Sequence, residues 1–198
     1  DFADPTTYMI YTWQGGLGLP DREYYMKTDE KSAALRTQYV SHVETMLTKA
    51  GLAEPTAAAK MIMALESQMA AEHMLKEDSR DYDKTYNPTL LADLNTLMPK
   101  FNWTGYLDTA DISHIDDVTI TMVDHMKALD GIIASTSLDD WKTWLKWAIL
   151  NQTATRLNAE LDDENFAFFG KILNGQEEQR PHWRRGVGVV SDSLGEVV

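Results

Sequence analysis

The sequence predicts a mainly α fold: a multi-helix domain with one or two short β-strands near its N-terminus and middle. Three observations carry this. Apolar residues recur at three- and four-residue steps over most of the 198 residues, helix start and stop signals bracket those runs, and only residues 7–13 and 118–122 have the β-branched character of strands.

The first strand is expected within Thr7 to Trp13, which is rich in β-branched and aromatic residues, stops at Gly15-Gly16 and has no obvious partner nearby. An unpaired edge there could promote dimers. GGLGLPDREYY (15–25) mixes glycines with a proline and reads as a sharply turning loop. From Asp29 to Ala50 the stripe Leu35, Tyr39, Val43, Met46 and Leu47 marks an amphipathic helix that Gly51 stops. A second helix follows Pro55, with Ala58, Ile62, Leu65 and Met69 on one face, and is expected to reach about Lys76. Residues 77–86 are polar and unpatterned and read as a loop.

Asn87-Pro88 looks like a cap followed by a first-turn proline, opening a short helix through Leu94 and Leu97. Phe101, Trp103 and Tyr106 form an aromatic cluster suited to packing, and Val118 to Met122 fits a brief strand or the start of the helix ending near Gly131. Ser137 and Asp140 have capping-box spacing ahead of a helix whose stripe is Trp141, Trp144, Leu145, Ala148, Ile149 and Leu157, a face too apolar to leave in water. Asp162 to Leu173 is a further helix, closed by Asn174-Gly175, and residues 180–198 carry Trp183, Val187, Val190 and Leu194 at helical spacing. With no repeat or linker, one domain or part of one is the economical organisation.

Composition then narrows function. With 43% hydrophobic and 25% charged residues the chain has the makings of a core and is not of the disordered class. A net charge of −13 repels phosphate backbones and anionic lipid, so nucleic acid is not an expected partner. No apolar run approaches the roughly 20 residues that cross a bilayer, so no membrane contact is expected from this segment. The absence of cysteine excludes disulfides, thiolate metal sites and cysteine catalysis. The chain opens at Asp1 rather than methionine, which points to a processed or trimmed product.

Chemistry-bearing patterns are sparse. A common metalloprotease motif needs two histidines four residues apart with a glutamate beside the first, and none of the five histidines meets it. Glu72-His73 with Glu77, His42 near Glu44, His114 near Asp116 and Asp117, and His125 near Asp124 all read as polar side chains in solvent rather than ligands. The pairs Asp116-Asp117, Asp139-Asp140 and Asp162-Asp163 suit helix starts and turns. Nucleotide-binding and serine-hydrolase motifs are missing. Arg180, Arg184 and Arg185 around Trp183 could bind an anion or pair with acidic neighbours, and the sequons at Asn102 and Asn151 read as chance matches. No catalytic, cofactor-binding or metal-ligating residue is assigned.

Two segments together point further. GGLGLPDREYYMK (15–27) resembles the Leu-Gly-Leu-Pro-x-Arg-Asp/Glu-Tyr-Tyr signature of the neprilysin and endothelin-converting-enzyme family of zinc metalloendopeptidases, and HWRRGVGVVSDSLGEVV (182–198) is similar to its Trp-Arg-Arg segment with a downstream Leu-Gly-Glu-Ala/Val pattern. Between them Leu65-Glu66, Tyr86-Asn87-Pro88, Phe101-x-Trp103-x-x-Tyr106 and the tryptophan-rich helix follow the family's order. The resemblance implies that residues 1–198 are part of the helical N-terminal lobe that limits access to a thermolysin-like catalytic lobe, and that the His-Glu-x-x-His segment lies beyond Val198. It implies zinc in the parent enzyme and none in this segment. The implied partners are the catalytic lobe of the same polypeptide and small peptide substrates. Gly186, where animal relatives commonly have cysteine, together with the cysteine-free composition, implies a bacterial member exported to the periplasm or envelope. A free-standing helical binding module and a hydrolase using His73 are the readings to set against this.

Overall fold

In the computed structural model, which describes residues 3, 4 and 6–195, short strands and ten α-helices alternate around two apolar clusters. Strand β1 (Tyr11–Thr12) leads through the glycine loop to helix α1 (Glu23–Met26), then α2 (Glu30–Lys49) and α3 (Pro55–Ala71). Asp29 caps α2 by accepting from the Ser32 amide at 2.9 Å. Helix α4 (Tyr82–Thr85) precedes β2 (Pro88–Leu90), α5 (Leu91–Leu97) and α6 (Trp103–Thr109). Strand β3 (Asp117–Ile120) feeds α7 (Val123–Ser135), α8 (Leu138–Thr153) and α9 (Ala159–Asn165). Helix α9 continues as a π-helix over Phe166–Leu173, and α10 (His182–Leu194) closes the order.

The mainly α class is as expected, and the strands improve on expectation. β1 lies parallel to β3, with Tyr11 opposite Thr119, and β2 pairs antiparallel with β3 to give the order β1-β3-β2. The first strand therefore has a partner, more than a hundred residues away in sequence, and is not the unpaired edge that local reading suggested. Of residues 118–122, those up to Ile120 choose strand over helix because two neighbours offer them ladder hydrogen bonds at once, and Met122 stands just before α7.

Other boundaries move for local reasons. Pro88 sits in β2 instead of opening a helix: Asn87 turns its side chain to the carbonyls of Lys84 and Ile120 instead of capping, and the helix begins at Leu91. Helix α3 ends at Ala71, five residues short of Lys76, because Met74 and Gln14 exchange backbone and side-chain hydrogen bonds that pull the chain out of helical register. The polar segment 77–86 folds into a 3-10 turn (Asp78–Arg80) and α4, the latter capped by Asp81.

The larger cluster joins α1, α2, α3, α8, α9 and the π-helix through Tyr39, Met46, Ile62, Trp147 and Phe168. The smaller gathers Leu94, Trp103, Ile120 and Met126, with Phe101 packed against it as expected of the aromatic trio. Leu65, Met69 and Ile132 bridge the two.

Helix α8 departs most from its expected face. Ser137 caps it as predicted, accepting from the Asp140 amide at 3.1 Å. Its buried residues, however, are Trp147 and Leu150, while Leu145 and Ile149 are more than half exposed and Leu157 beyond it nearly half. Trp141 and Trp144 of the expected stripe are half-buried against the core, but its Leu145 and Ile149 side stays out, while Trp147 goes fully inside because its N–H finds buried acceptors.

Candidate functional site

The glycine loop passes between two clefts, and its attachments define the candidate site. At one end a buried carboxyl holds it. Glu66, on α3 and 1% exposed, accepts hydrogen bonds from Tyr25 Oη at 2.7 Å, Tyr39 Oη at 2.8 Å and Trp147 Nε1 at 3.3 Å. Tyr25 Oη in turn accepts from the Leu19 amide at 2.9 Å, so the carboxyl, the tyrosine and the loop backbone form one chain of bonds. Gly18 fits because nothing larger can: a Cβ there would stand 1.8 Å from Tyr39 Oη. Burial raises the Glu66 pKa above the ordinary carboxylate range, against the pull of the hydrogen bonds from Tyr25, Tyr39 and Trp147. The two tyrosine hydroxyls are likewise pushed well up, by burial first and by the Glu66 charge second.

At the other end histidines hold the loop. His73 Nε2 lies 3.1 Å from the Gly15 carbonyl oxygen, and the His73 and His125 rings meet edge to face with centroids 4.6 Å apart. Burial, together with the neighbouring His73, lowers the His125 pKa to about 4, and burial lowers that of His73 as well. Gly16, at φ 88°, uses the left-handed backbone open to glycine, and a Cβ there would stand 3.1 Å from the Met69 sulfur and 3.4 Å from the Trp144 ring.

On one side of the loop a cleft of about 830 Å³ is bounded by Asp21, Arg22, Lys27, His73 and Glu77. On the other an apolar cleft of about 500 Å³ lies between α7 and α8, under Trp13.

The surface reading of the histidines needs correcting. His42, His73 and His125 are buried, at 3%, 7% and 3% exposure, and His42 Nδ1 faces Glu164 Oε1 at 3.1 Å instead of Glu44. A polar residue on a mixed helix face gave no local sign of this, because burial comes from elements distant in sequence: Phe168 stacks on His42 at 4.8 Å and the glycine loop covers His73. His114 is exposed. Asp162 is also buried and does more than favour a helix start: Arg185 grips it with two bonds of 2.8 and 2.7 Å, and Gln179 adds a third at 2.9 Å. That places one arginine of the basic cluster on an acidic neighbour, while Arg184 lies over the Trp183 ring at 5.2 Å. Asn102 of the first sequon caps α6 through the Gly105 amide.

Among the described residues no group of three or more His, Cys, Asp or Glu could hold a metal ion. His73 and His125 turn an edge to a face, with no carboxylate completing a coordination set, so this donor set does not fit zinc and no chemical step is derived through a metal here. Sequence reasoning missed Glu66 as the hub. Its signal was a lone glutamate at an apolar position of the α3 stripe, one residue after Leu65.

The sequence and the fold of the chain both match known proteins. The model for the N-terminal part of Peptidase family M13 matches residues 1–198. The chain belongs to that family. Endothelin-converting enzyme 1 of Bos taurus is 26% identical over 202 residues, spanning 98% of this chain and 27% of that protein. Endothelin-converting enzyme-like 1 of Homo sapiens is 28% identical over 155 residues, 76% of this chain and 20% of its own length. Among solved structures, the open state of zinc metalloprotease Zmp1 from Mycobacterium tuberculosis superposes with a TM-score of 0.89 at 30% identity, covering 95% of this chain and 30% of Zmp1. The inhibitor complex of the same enzyme gives 0.88 at 29%, covering 96% of this chain and 29% of Zmp1. The M13 chain thus spans under a third of the length of these relatives.

Proposed function

We propose that the chain is a non-catalytic part of a zinc-dependent endopeptidase that cleaves small peptides, and that it forms part of the wall enclosing the substrate cavity. The observation that carries this is the likeness along the whole chain to one end of a zinc metalloprotease, with a loop motif that this fold uses as an internal clasp. The zinc and the hydrolytic groups belong to a catalytic lobe of the same polypeptide, and the parent is an exported bacterial enzyme. With a charge of −13 the wall disfavours strongly acidic peptides and tolerates basic ones.

The exposed apolar faces of α8 and α10 also suit a free-standing protein-binding module, with Leu145, Ile149, Val187 and Leu194 in water. The coding sequence past Val198 separates the two. A His-Glu-x-x-His segment within the next domain's length supports the peptidase; its absence overturns it. Zinc titration of the 198-residue chain addresses the hydrolase alternative: weak binding without fixed stoichiometry is expected, and tight one-to-one binding would restore a catalytic role for His73. Assay of the full-length protein on charge-varied peptides tests the wall, which fails if acidic peptides are cleaved as readily as basic ones.

A further inference from the structure

Arg22 stands apart from the other arginines withdrawn from solvent. Arg36 and Arg185 are likewise partly buried, and both are satisfied: Arg36 Nη1 donates to the Tyr24 and Lys27 carbonyls at 3.1 and 2.8 Å, and Arg185 grips Asp162. Arg22, half-buried, has no hydrogen-bond acceptor and no ion-pair partner among the described residues, and its Nε is shut away from water. The chain has 31 acidic residues against 18 basic ones, so this guanidinium is not unpaired for want of acids. A partly desolvated charge without a counter-charge is costly to keep.

The side chain lines the cleft of about 830 Å³ beside the glycine loop, a volume within the range of small-molecule sites. Its backbone is fixed there. The Arg22 carbonyl accepts from the Tyr25 and Met26 amides at 3.0 and 3.1 Å, and Tyr25 is tied to Glu66. Gln14 and Met74, also in the lining, exchange bonds of 2.6 and 3.2 Å that hold the wall in place. The acids adjoining Arg22 are committed: Asp21 Oδ1 accepts from the Glu23 amide at 2.8 Å, and Glu23 lies 3.9 Å from Lys27 Nζ. Lys76, a further cation of the lining, is exposed and has no ion-pair partner among the described residues.

We propose that this cleft binds a small carboxylate-bearing molecule, with the Arg22 guanidinium taking the carboxylate and Lys76 adding attraction from the rim. The planar fork of an arginine matches the two oxygens of a carboxylate. Glu77, exposed in the same lining, disfavours a doubly charged phosphate. The guanidinium also acts on His73 behind it: burial above all, and the Arg22 charge after it, lower the His73 pKa, so an anion on Arg22 raises it again. Every group of the site lies within the chain, and the peptidase reading is not needed for it.

The test uses the 198-residue chain with nitrogen-15 in its arginine side chains. It is titrated at neutral pH and constant ionic strength with N-acetylglycine and, separately, with the uncharged N-methylamide of the same compound. The Arg22 guanidinium signal, assigned by its loss in Arg22→Lys, is expected to move saturably with the carboxylate and to stay still with the amide, while the His73 pKa rises. Followed by the His73 ring proton, Arg22→Lys weakens binding about fivefold through loss of the fork. Lys76→Gln weakens it about twofold and Glu77→Gln strengthens it about twofold. These last two change exposed side chains, so they decide the matter even where Arg22→Lys unsettles α1. No saturable shift, an equal shift with the amide, the same affinity in all three variants, or tighter binding of inorganic phosphate would overturn the proposal. So would a shift that grows with protein concentration alone, which would assign Arg22 to a carboxylate of a second copy of the chain.

Discussion

The glycine loop is held at both ends by buried polar groups, and the two ends differ in one respect. At Gly18-Leu19 the anchor is saturated: Glu66, Tyr25, Tyr39 and Trp147 satisfy one another and the loop amide. At Gly15 the anchor is incomplete: His73 reaches the carbonyl, but His125 behind it has a buried ring nitrogen, Nδ1, with no partner among the described residues. A buried network with every group paired specifies a fold, whereas one left partly unpaired beside a cavity leaves chemistry for something else to complete. The family's loop motif belongs to the first kind. It is a clasp.

The largest effect is expected at the saturated end. Glu66→Ala leaves the Tyr25 and Tyr39 hydroxyls without their acceptor and a cavity beside Trp147, whose N–H keeps only Tyr39 Oη, and should cost about 3–5 kcal/mol in urea unfolding. Glu66→Gln keeps an acceptor in a neutral group and should cost only about 1 kcal/mol. Similar costs for the two would mean that the carboxyl is held ionised and the network has been misread.

The incomplete end should respond to acid. The unfolded chain protonates His125 near 6.5, whereas the folded chain does so only near 4, so unfolding takes up a proton between those values. Stability is complete above pH 6.5 and falls as pH is lowered toward 4, by about 2 kcal/mol after allowance for solvent screening. His73 and His42, with pKa values lowered by burial, act in the same direction. Glu66 acts in the opposite one: its folded pKa is raised, so its contribution is complete below the unfolded value of 4.5 and is lost as pH rises through the folded value. His125→Gln should flatten the acid limb, and an unchanged limb would remove His125 from the account.

Much of this contrast was open to sequence reading and some was not. Helix positions, the Ser137 cap and the glycine stops followed from periodicity and local backbone chemistry, which act within a few residues. The pairing of β1 with β3, the burial of three histidines and the Glu66 hub depend on groups brought together from 27 to over a hundred residues apart, and no local pattern encodes them. Helix α8 shows the limit most clearly. Its sequence offers two apolar stripes, and only the partners on α2 and α3 decide that Trp147 goes inside while Leu145 and Ile149 stay out.

That choice gives the smallest expected effect. Leu145→Lys on the exposed stripe should change stability by no more than about 0.5 kcal/mol. A cost of several kcal/mol would mean that this stripe is covered after all.

The most direct test of the clasp is a double-mutant cycle measured by chemical denaturation. Gly18→Ala places a Cβ against the Tyr39 hydroxyl and should cost about 2–3 kcal/mol. In a Tyr39→Phe background, with that oxygen gone, the same change should cost at least about 1 kcal/mol less. An equal cost in both backgrounds would contradict the claim that the glycine of the motif is there to let the buried tyrosine and carboxyl close on the loop.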